Sequence, residues 1–170
     1  MANSNPFIGQ VLDSHFVLGD EIGSGAFSLV FEAQDLSTGH RVAIKALHPS
    51  RAAELMAVAE FETEGELLAK LVSCRNVISY IGTWTTTIVF TLRGAPVSIP
   101  LRFHALELAE GSLEDILPNR DKLSWEQRLD LFRDVVSGTH QMHLQRIIHR
   151  DIKCSNACRP PLRMSMATTR

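Results

Sequence analysis

The 170-residue chain has only three cysteines, Cys74, Cys154 and Cys158, at irregular spacing. So few exclude a disulfide framework and suit a reducing, cytoplasmic setting. Cys154 and Cys158 lie near several histidines, but without a second CxxC or an HxxxH they read as free thiols rather than zinc ligands. No apolar run approaches the roughly 18 residues needed to cross a bilayer, so no membrane span is expected. The opening MANSNPFIGQ lacks both the basic and the apolar region of a secretory leader. Neither sign of charge dominates, since 17 Lys and Arg face 19 Asp and Glu for a net charge of −2. With no basic stripe, nothing calls for a nucleic-acid partner. Internal repeats are absent. After Asp151 the chain also has no Asp or Glu up to Arg170.

What is there points to a packed molecule. Hydrophobic residues make up 45% and charged residues 21%, as in globular proteins, and the length suits one ordinary domain or two small lobes. Residues 15–22, 28–35 and 40–47 are short segments rich in Val, Ile, Leu and Phe. GSGA and LSTG separate them, which predicts an antiparallel meander. A helical pattern over 52–71 follows, with Ser50 as its expected N-cap. Two more strands are expected near 77–83 and 101–108. Between them TTTIVFTLRGAPVSIP reads either as an extra hairpin turning at residues 93–96 or as a surface loop. Residues 124–144 form the clearest helix: SWEQ is a capping box. Leu129, Leu131, Phe132, Val135, Val136, Thr139 and Met142 fill an apolar arc of about 160°, too wide for a helix packed on one side only.

Four stretches carry residues suited to chemistry. IGSGAFSLV places Gly23 and Gly25 between two strands. Such a hairpin is either a plain tight turn or a cover for phosphates, because glycine lets backbone approach a ligand. In VAIK, strand alternation puts Ala43 and Lys45 on one face and Val42 and Ile44 on the other. Lys45 then either reaches into a pocket floored by Ala43 or is a solvated edge lysine. In the next helix Glu64 falls on the apolar stripe beside Leu67, Leu68 and Leu71. A carboxylate there needs a cation, since unpaired burial is costly. Lys45 is the obvious partner for Glu64 or for Glu60, one turn earlier. HRDIKCSN gathers His149, Arg150, Asp151, Lys153 and Asn156 after an expected short strand at 146–148. An aspartate can accept a hydroxyl proton, a lysine can neutralise phosphate, and an asparagine oxygen can hold a hard cation.

In this order the stretches resemble a eukaryotic-type protein kinase domain over about residues 15–157. GSGAFSLV resembles the glycine-rich loop, with Ser28 where a third glycine is usual, and VAIK resembles the lysine strand. FETEGELLAKL resembles the helix whose glutamate pairs with that lysine, which favours Glu64 over Glu60. ALELAEGSLEDIL resembles the hinge, with Leu106 as gatekeeper, and HRDIKCSN the catalytic loop. Lys153, two residues after Asp151, is similar to the Ser/Thr branch, and FEAQDLSTGHRVAIKAL resembles bacterial-style members. The resemblance implies an α+β fold: a kinase small lobe, with an antiparallel sheet and one helix, joined to the first helices of the large lobe. It implies ATP and Mg2+ as cofactors and a protein Ser/Thr hydroxyl as acceptor. Asp151, Lys153, Lys45 and Glu64 would be catalytic. Ile22, Gly23, Gly25, Val30, Ala43, Lys45, Glu107 and Ala109 would bind nucleotide, and Asn156 would bind metal.

The family pattern then continues with a second metal-binding aspartate in a DFG motif. ACRPPLRMSMATTR has none, and Pro160–Pro161 opposes a continuing strand. The expectation is a kinase domain cut short, divided into an N-terminal extension (1–14), a small lobe (15–108), a hinge with a partial large lobe (109–157) and a disordered tail (158–170). Three alternatives remain: a catalytically dead fragment that binds nucleotide or a partner, an unstable remnant with no function, and a short kinase relative that works as it stands.

Overall fold

The computed structural model describes residues 5–92 and 94–159. Met1 to Ser4, Arg93 of the expected turn, and residues 160–170 of the expected tail lie outside the described residues. The chain divides into two compact units. One holds the residues up to Ser73 together with Val77–Glu107, and the other holds Cys74–Asn76 and the residues from Leu108.

The first unit is a six-stranded antiparallel sheet with one helix. Its strands are β1 (Val11–Leu12), β2 (Phe16–Ser24), β3 (Ser28–Asp35), β4 (Arg41–Leu47), β5 (Tyr80–Leu92) and β6 (Ala95–Glu107), in the spatial order β1-β2-β3-β4-β6-β5. Alternation along β4 separates two apolar layers. Val42, Ile44 and Ala46 join Phe16, Phe31 and Phe103 in the larger core, while Leu47 on the other face packs with Ala57 and Phe61 of helix α1 (Leu55–Lys70). Asn5 to Ser14, expected as an extension, take part in the larger core. Leu12 is fully buried in strand β1, and the Phe7 ring lies 5.6 Å from Phe31 and 6.3 Å from Phe90.

Three local expectations are corrected. Ser50 does not cap α1. It sits in a 3-10 turn at Pro49–Arg51, where its amide and hydroxyl meet the His48 ring, and α1 starts at Leu55 after Glu54 with no side-chain cap. The residues between 77 and 108 are not two strands plus an inserted hairpin. Strands β5 and β6 pair continuously from Gly82↔Ala105 to Leu92↔Ala95, so the supposed insertion is the outer half of one long hairpin. Gly94, at φ 83°, supplies the backbone that such a turn requires. Residues 146–148 are not a strand, for the reason given next.

In the second unit helix α2 (Trp125–Leu144) begins with the expected capping box, Ser124 and Gln127 each accepting the other's amide N–H. It ends in a Schellman motif. The Ile147 amide bonds the Met142 carbonyl at 3.0 Å, and the Arg146 amide bonds His143 at 2.9 Å. This places Arg146 at φ 60°, where glycine is usual, and the next two residues are spent leaving the helix rather than forming a strand. Strands β7 (Gly111–Ser112) and β8 (Cys158–Arg159) pair antiparallel, so the first two residues of the expected tail are tied to the segment after the hinge. Among the described residues no helix is long and apolar enough to cross a membrane.

Candidate active site

In the first unit the β2–β3 hairpin closes with the Gly25 amide on the Ser28 carbonyl at 2.9 Å. Neither Gly23 nor Gly25 has positive φ. A Cβ on either would make only ordinary contacts, 3.5 Å from Val30 Cβ and 3.7 Å from the Ser28 oxygen. The hairpin itself therefore does not require glycine, which weakens the plain-turn reading and leaves room for a ligand as the reason for both. Ile22 is half exposed, and Val30 faces Gly23 in the register. The hairpin tip is tethered: the His48 amide bonds the Phe27 carbonyl at 2.9 Å, and the Arg51 guanidinium lies 4.1 Å over the Phe27 ring.

Ala43 and Lys45 share the β4 face that looks toward α1, as alternation implies. Ala43 is buried beside Leu106 in the register, and Lys45 Nζ forms an ion pair with Glu64. Glu60, the rival, is exposed. The lysine is not solvated alone. It lines a cavity of about 180 Å³ together with Phe27, Ser28, Leu47 and Glu64. The pair is half-buried and lines this cavity, which Glu60 also borders, so the lysine is a cation held in place beside open space.

At the end of β6 the Glu107 amide is taken by the Ser79 carbonyl at 2.8 Å, and its carboxylate accepts from the Ser79 amide at 3.2 Å. That engages the Glu107 N–H, so only its carbonyl remains for a ligand. Ala109, in the second unit, has no backbone partner among the described residues.

The second unit holds the HRDIKCSN loop. Asp151 Oδ2 receives Lys153 Nζ at 3.0 Å and Asn156 Nδ2 at 2.9 Å, and the same Nδ2 reaches the Asp151 carbonyl at 2.9 Å. The Lys153 hydrogen bond, helped by Asn156, holds the Asp151 carboxyl below its ordinary pKa, so it is ionised at neutral pH. The Asp151 amide bonds His149 Nδ1 at 3.2 Å, and Arg150 is at φ 64°, a conformation uncommon for a residue with a Cβ. The Asn156 amide nitrogen is turned to Asp151, so its Oδ1 points elsewhere, as a ligand to a hard cation must. Among the described residues no three His, Cys, Asp or Glu side chains converge on a metal-sized site. Cys154 and Cys158 carry free thiols.

A family model for the protein kinase domain matches residues 16–158. The chain belongs to the protein kinase family. Its two units correspond to the family's small lobe, with antiparallel sheet and one helix, and to the first helices of the large lobe. A probable serine/threonine-protein kinase of Dictyostelium discoideum is 30% identical over 141 residues, 83% of this chain and 26% of that protein. A DNA damage response protein kinase of Saccharomyces cerevisiae is 28% identical over 142 residues, 83% and 26%. Death-associated protein kinase 2 of Homo sapiens is 30% identical over 157 residues, 91% and 39%. This kinase-family chain thus spans between a quarter and two fifths of the length of these curated relatives. The family uses ATP and a metal to phosphorylate, and sequence reasoning put Lys45 and Glu64 forward as the pair that the structure brings together. It missed the Phe27 tether and the bonds from Glu110 and Leu113 amides to the Arg159 and Ala157 carbonyls. Apart from the Arg51–Phe27 stacking these are backbone contacts, with no side-chain signal in the sequence.

Proposed function

We propose that this chain binds ATP at the Gly23–Gly25 hairpin and Lys45, and carries the catalytic loop that passes the γ-phosphate to a Ser or Thr hydroxyl of a protein. The observation that carries the reading is the Lys45–Glu64 ion pair beside a cavity bounded by Phe27 and Ser28 at the tip of the β2–β3 hairpin. Lys45 would neutralise phosphate oxygens, with Glu64 fixing its direction. Ile22, Val30 and Ala43 would enclose the base, and the Glu107 carbonyl and Ala109 amide would read its edge. Asp151 Oδ2 is occupied by Lys153 and Asn156, so Oδ1 remains to orient the acceptor hydroxyl and take its proton, while Lys153 balances charge on the transferred group. A bound Mg2+ would neutralise charge on the phosphates, with Asn156 Oδ1 as one protein ligand. The three free thiols accord with a reducing cytoplasm as the site of action.

A second reading is nucleotide binding without transfer, in which the Lys45–Glu64 pair holds ATP and the Asp151 loop passes nothing on. A radiolabelled-ATP assay on a basic protein substrate separates the two. General-base catalysis is worth about 10²–10⁴-fold, so transfer that Asp151→Asn lowers by that much supports the first reading. ATP binding with no transfer above the Asp151→Asn background supports the second, and absence of both rejects the proposal.

A further inference from the structure

His104 is fully buried in strand β6, and nothing above assigns it a role. It stands directly opposite Lys45 on β4 and directly opposite Thr83 on β5, so the three side chains share the sheet face beneath α1. The imidazole stacks on the Phe61 ring at 3.9 Å and 7°. Gly65 comes so close that a Cβ there would lie 2.9 Å from both His104 Cε1 and Thr83 Oγ1. Glu64 lies between Phe61 and Gly65 in the chain. The histidine thus sits under the turn of α1 that presents Glu64 to Lys45.

For the neutral imidazole the hydrogen bonds allow one tautomer. His104 Nε2 is 3.1 Å from the Phe61 carbonyl, which can only accept, so Nε2 carries the hydrogen. Nδ1 is then a lone pair that accepts from the Thr83 hydroxyl, whose oxygen accepts from Tyr80 Oη at 2.7 Å. Burial lowers the His104 pKa, which favours this neutral form. Every polar atom of the chain Tyr80–Thr83–His104–Phe61 is satisfied. A hydrogen-bonded chain anchored on a buried imidazole fixes one geometry, whereas an apolar side chain would fill the same space without fixing it.

We propose that His104 is a positioning residue: its Nε2–H bond and ring stacking on Phe61 set the height and rotation of the α1 turn that delivers Glu64 to Lys45. This rests on reading Lys45 and Glu64 as the phosphate-holding pair.

The test is the rate at which an N-hydroxysuccinimide ester acylates Lys45 in the full chain, measured by peptide mass spectrometry with Lys70 and Lys122 as internal references. An ion pair of this exposure shields its lysine modestly, so Glu64→Gln is expected to raise the Lys45 rate roughly threefold. His104→Leu is expected to raise it by a similar factor, and the double variant no further than Glu64→Gln alone, because both act on one contact. His104→Gln, which keeps a donor for the Phe61 carbonyl, should stay near wild type. A Lys45 rate unchanged in His104→Leu, or factors that multiply in the double variant, would make His104 a core residue only and overturn the proposal. If His104→Leu accelerates all lysines alike through unfolding, Thr83→Val takes its place. It keeps the shape and removes the hydroxyl that pairs with His104 Nδ1, and a wild-type Lys45 rate in it overturns the proposal equally. Added ATP tests the underlying reading separately. Slowed acylation of wild-type Lys45 supports the phosphate role, and no protection rejects that role while leaving the comparison among variants intact.

Discussion

At residue scale, His104 ties acidity to stability. Burial first, and then the nearby Lys45 charge, disfavour its protonated form, with Glu64 opposing and the Tyr80 hydroxyl reaching it only through Thr83. The unfolded chain takes up this proton below the ordinary value of 6.5, and the folded chain resists. Stability from this residue is therefore complete above pH 6.5 and falls as pH drops below it, by at most about 1.4 kcal/mol per pH unit. Thermal midpoints compared between pH 7.5 and 5.5 should fall further for wild type than for His104→Gln, and parallel curves would refute the assignment. Helical periodicity put both Glu64 and Glu60 on the stripe that needs a cation, and only the family resemblance favoured Glu64, the one that pairs with Lys45. His104 was not legible as special. In sequence it is one polar residue in the run RFHALEL, and only pairing with β4 and β5 shows that its side chain points under α1.

At element scale, α2 shows which helix signals survive folding. The capping box does, because all its atoms lie within four residues, and Ser124→Ala should cost about 1 kcal/mol in urea unfolding. The C-terminal stop does not advertise itself, since Arg146 occupies the left-handed position where a reader looks for glycine. Gly138 is equally silent in sequence, where a mid-helix glycine reads only as weak propensity. In the fold it lets the Asn76 carbonyl approach so closely that a Cβ would stand 2.2 Å from that oxygen. Asn76 also donates to Asp134 one turn earlier, at 3.1 Å. Gly138→Ala should therefore destabilise by roughly 1–3 kcal/mol through overpacking, even though alanine is the better helix former by about 1 kcal/mol. A variant as stable as wild type would mean the Cys74–Asn76 segment does not dock there. The outer half of the β5–β6 hairpin was half legible. Its alternation was clear, but a sequence of Thr, Val and Ile cannot say whether it pairs with its own strand or lies loose.

At the scale of the whole molecule, the wide apolar arc of α2 resolves into two rows. Leu131, Val135 and Met142 are half-buried, while Trp125, Leu129, Phe132 and Val136, at helical spacing, are exposed, Trp125 to 75% and Phe132 to 65%. An exposed apolar row of this length promotes association. Sedimentation velocity should show wild type self-associating as concentration rises and a Phe132→Lys, Val136→Glu variant doing so less. A wild type that stays monomeric throughout would show the row to be harmless. The family and the strand faces were readable because they depend on local order and spacing. The pairing of β7 with β8 and the packing of Phe7 were not, because they depend on contacts between distant parts of the chain. The central claim, that the Lys45–Glu64 pair under the glycine hairpin is an ATP site, is tested most directly by calorimetric titration of the chain with ATP, with and without magnesium, beside Lys45→Ala. Charge-assisted contacts contribute about 1.5–3 kcal/mol, so the account predicts saturable one-to-one binding that Lys45→Ala weakens roughly tenfold or more, with little added by magnesium. No binding, or binding indifferent to Lys45→Ala, would contradict it.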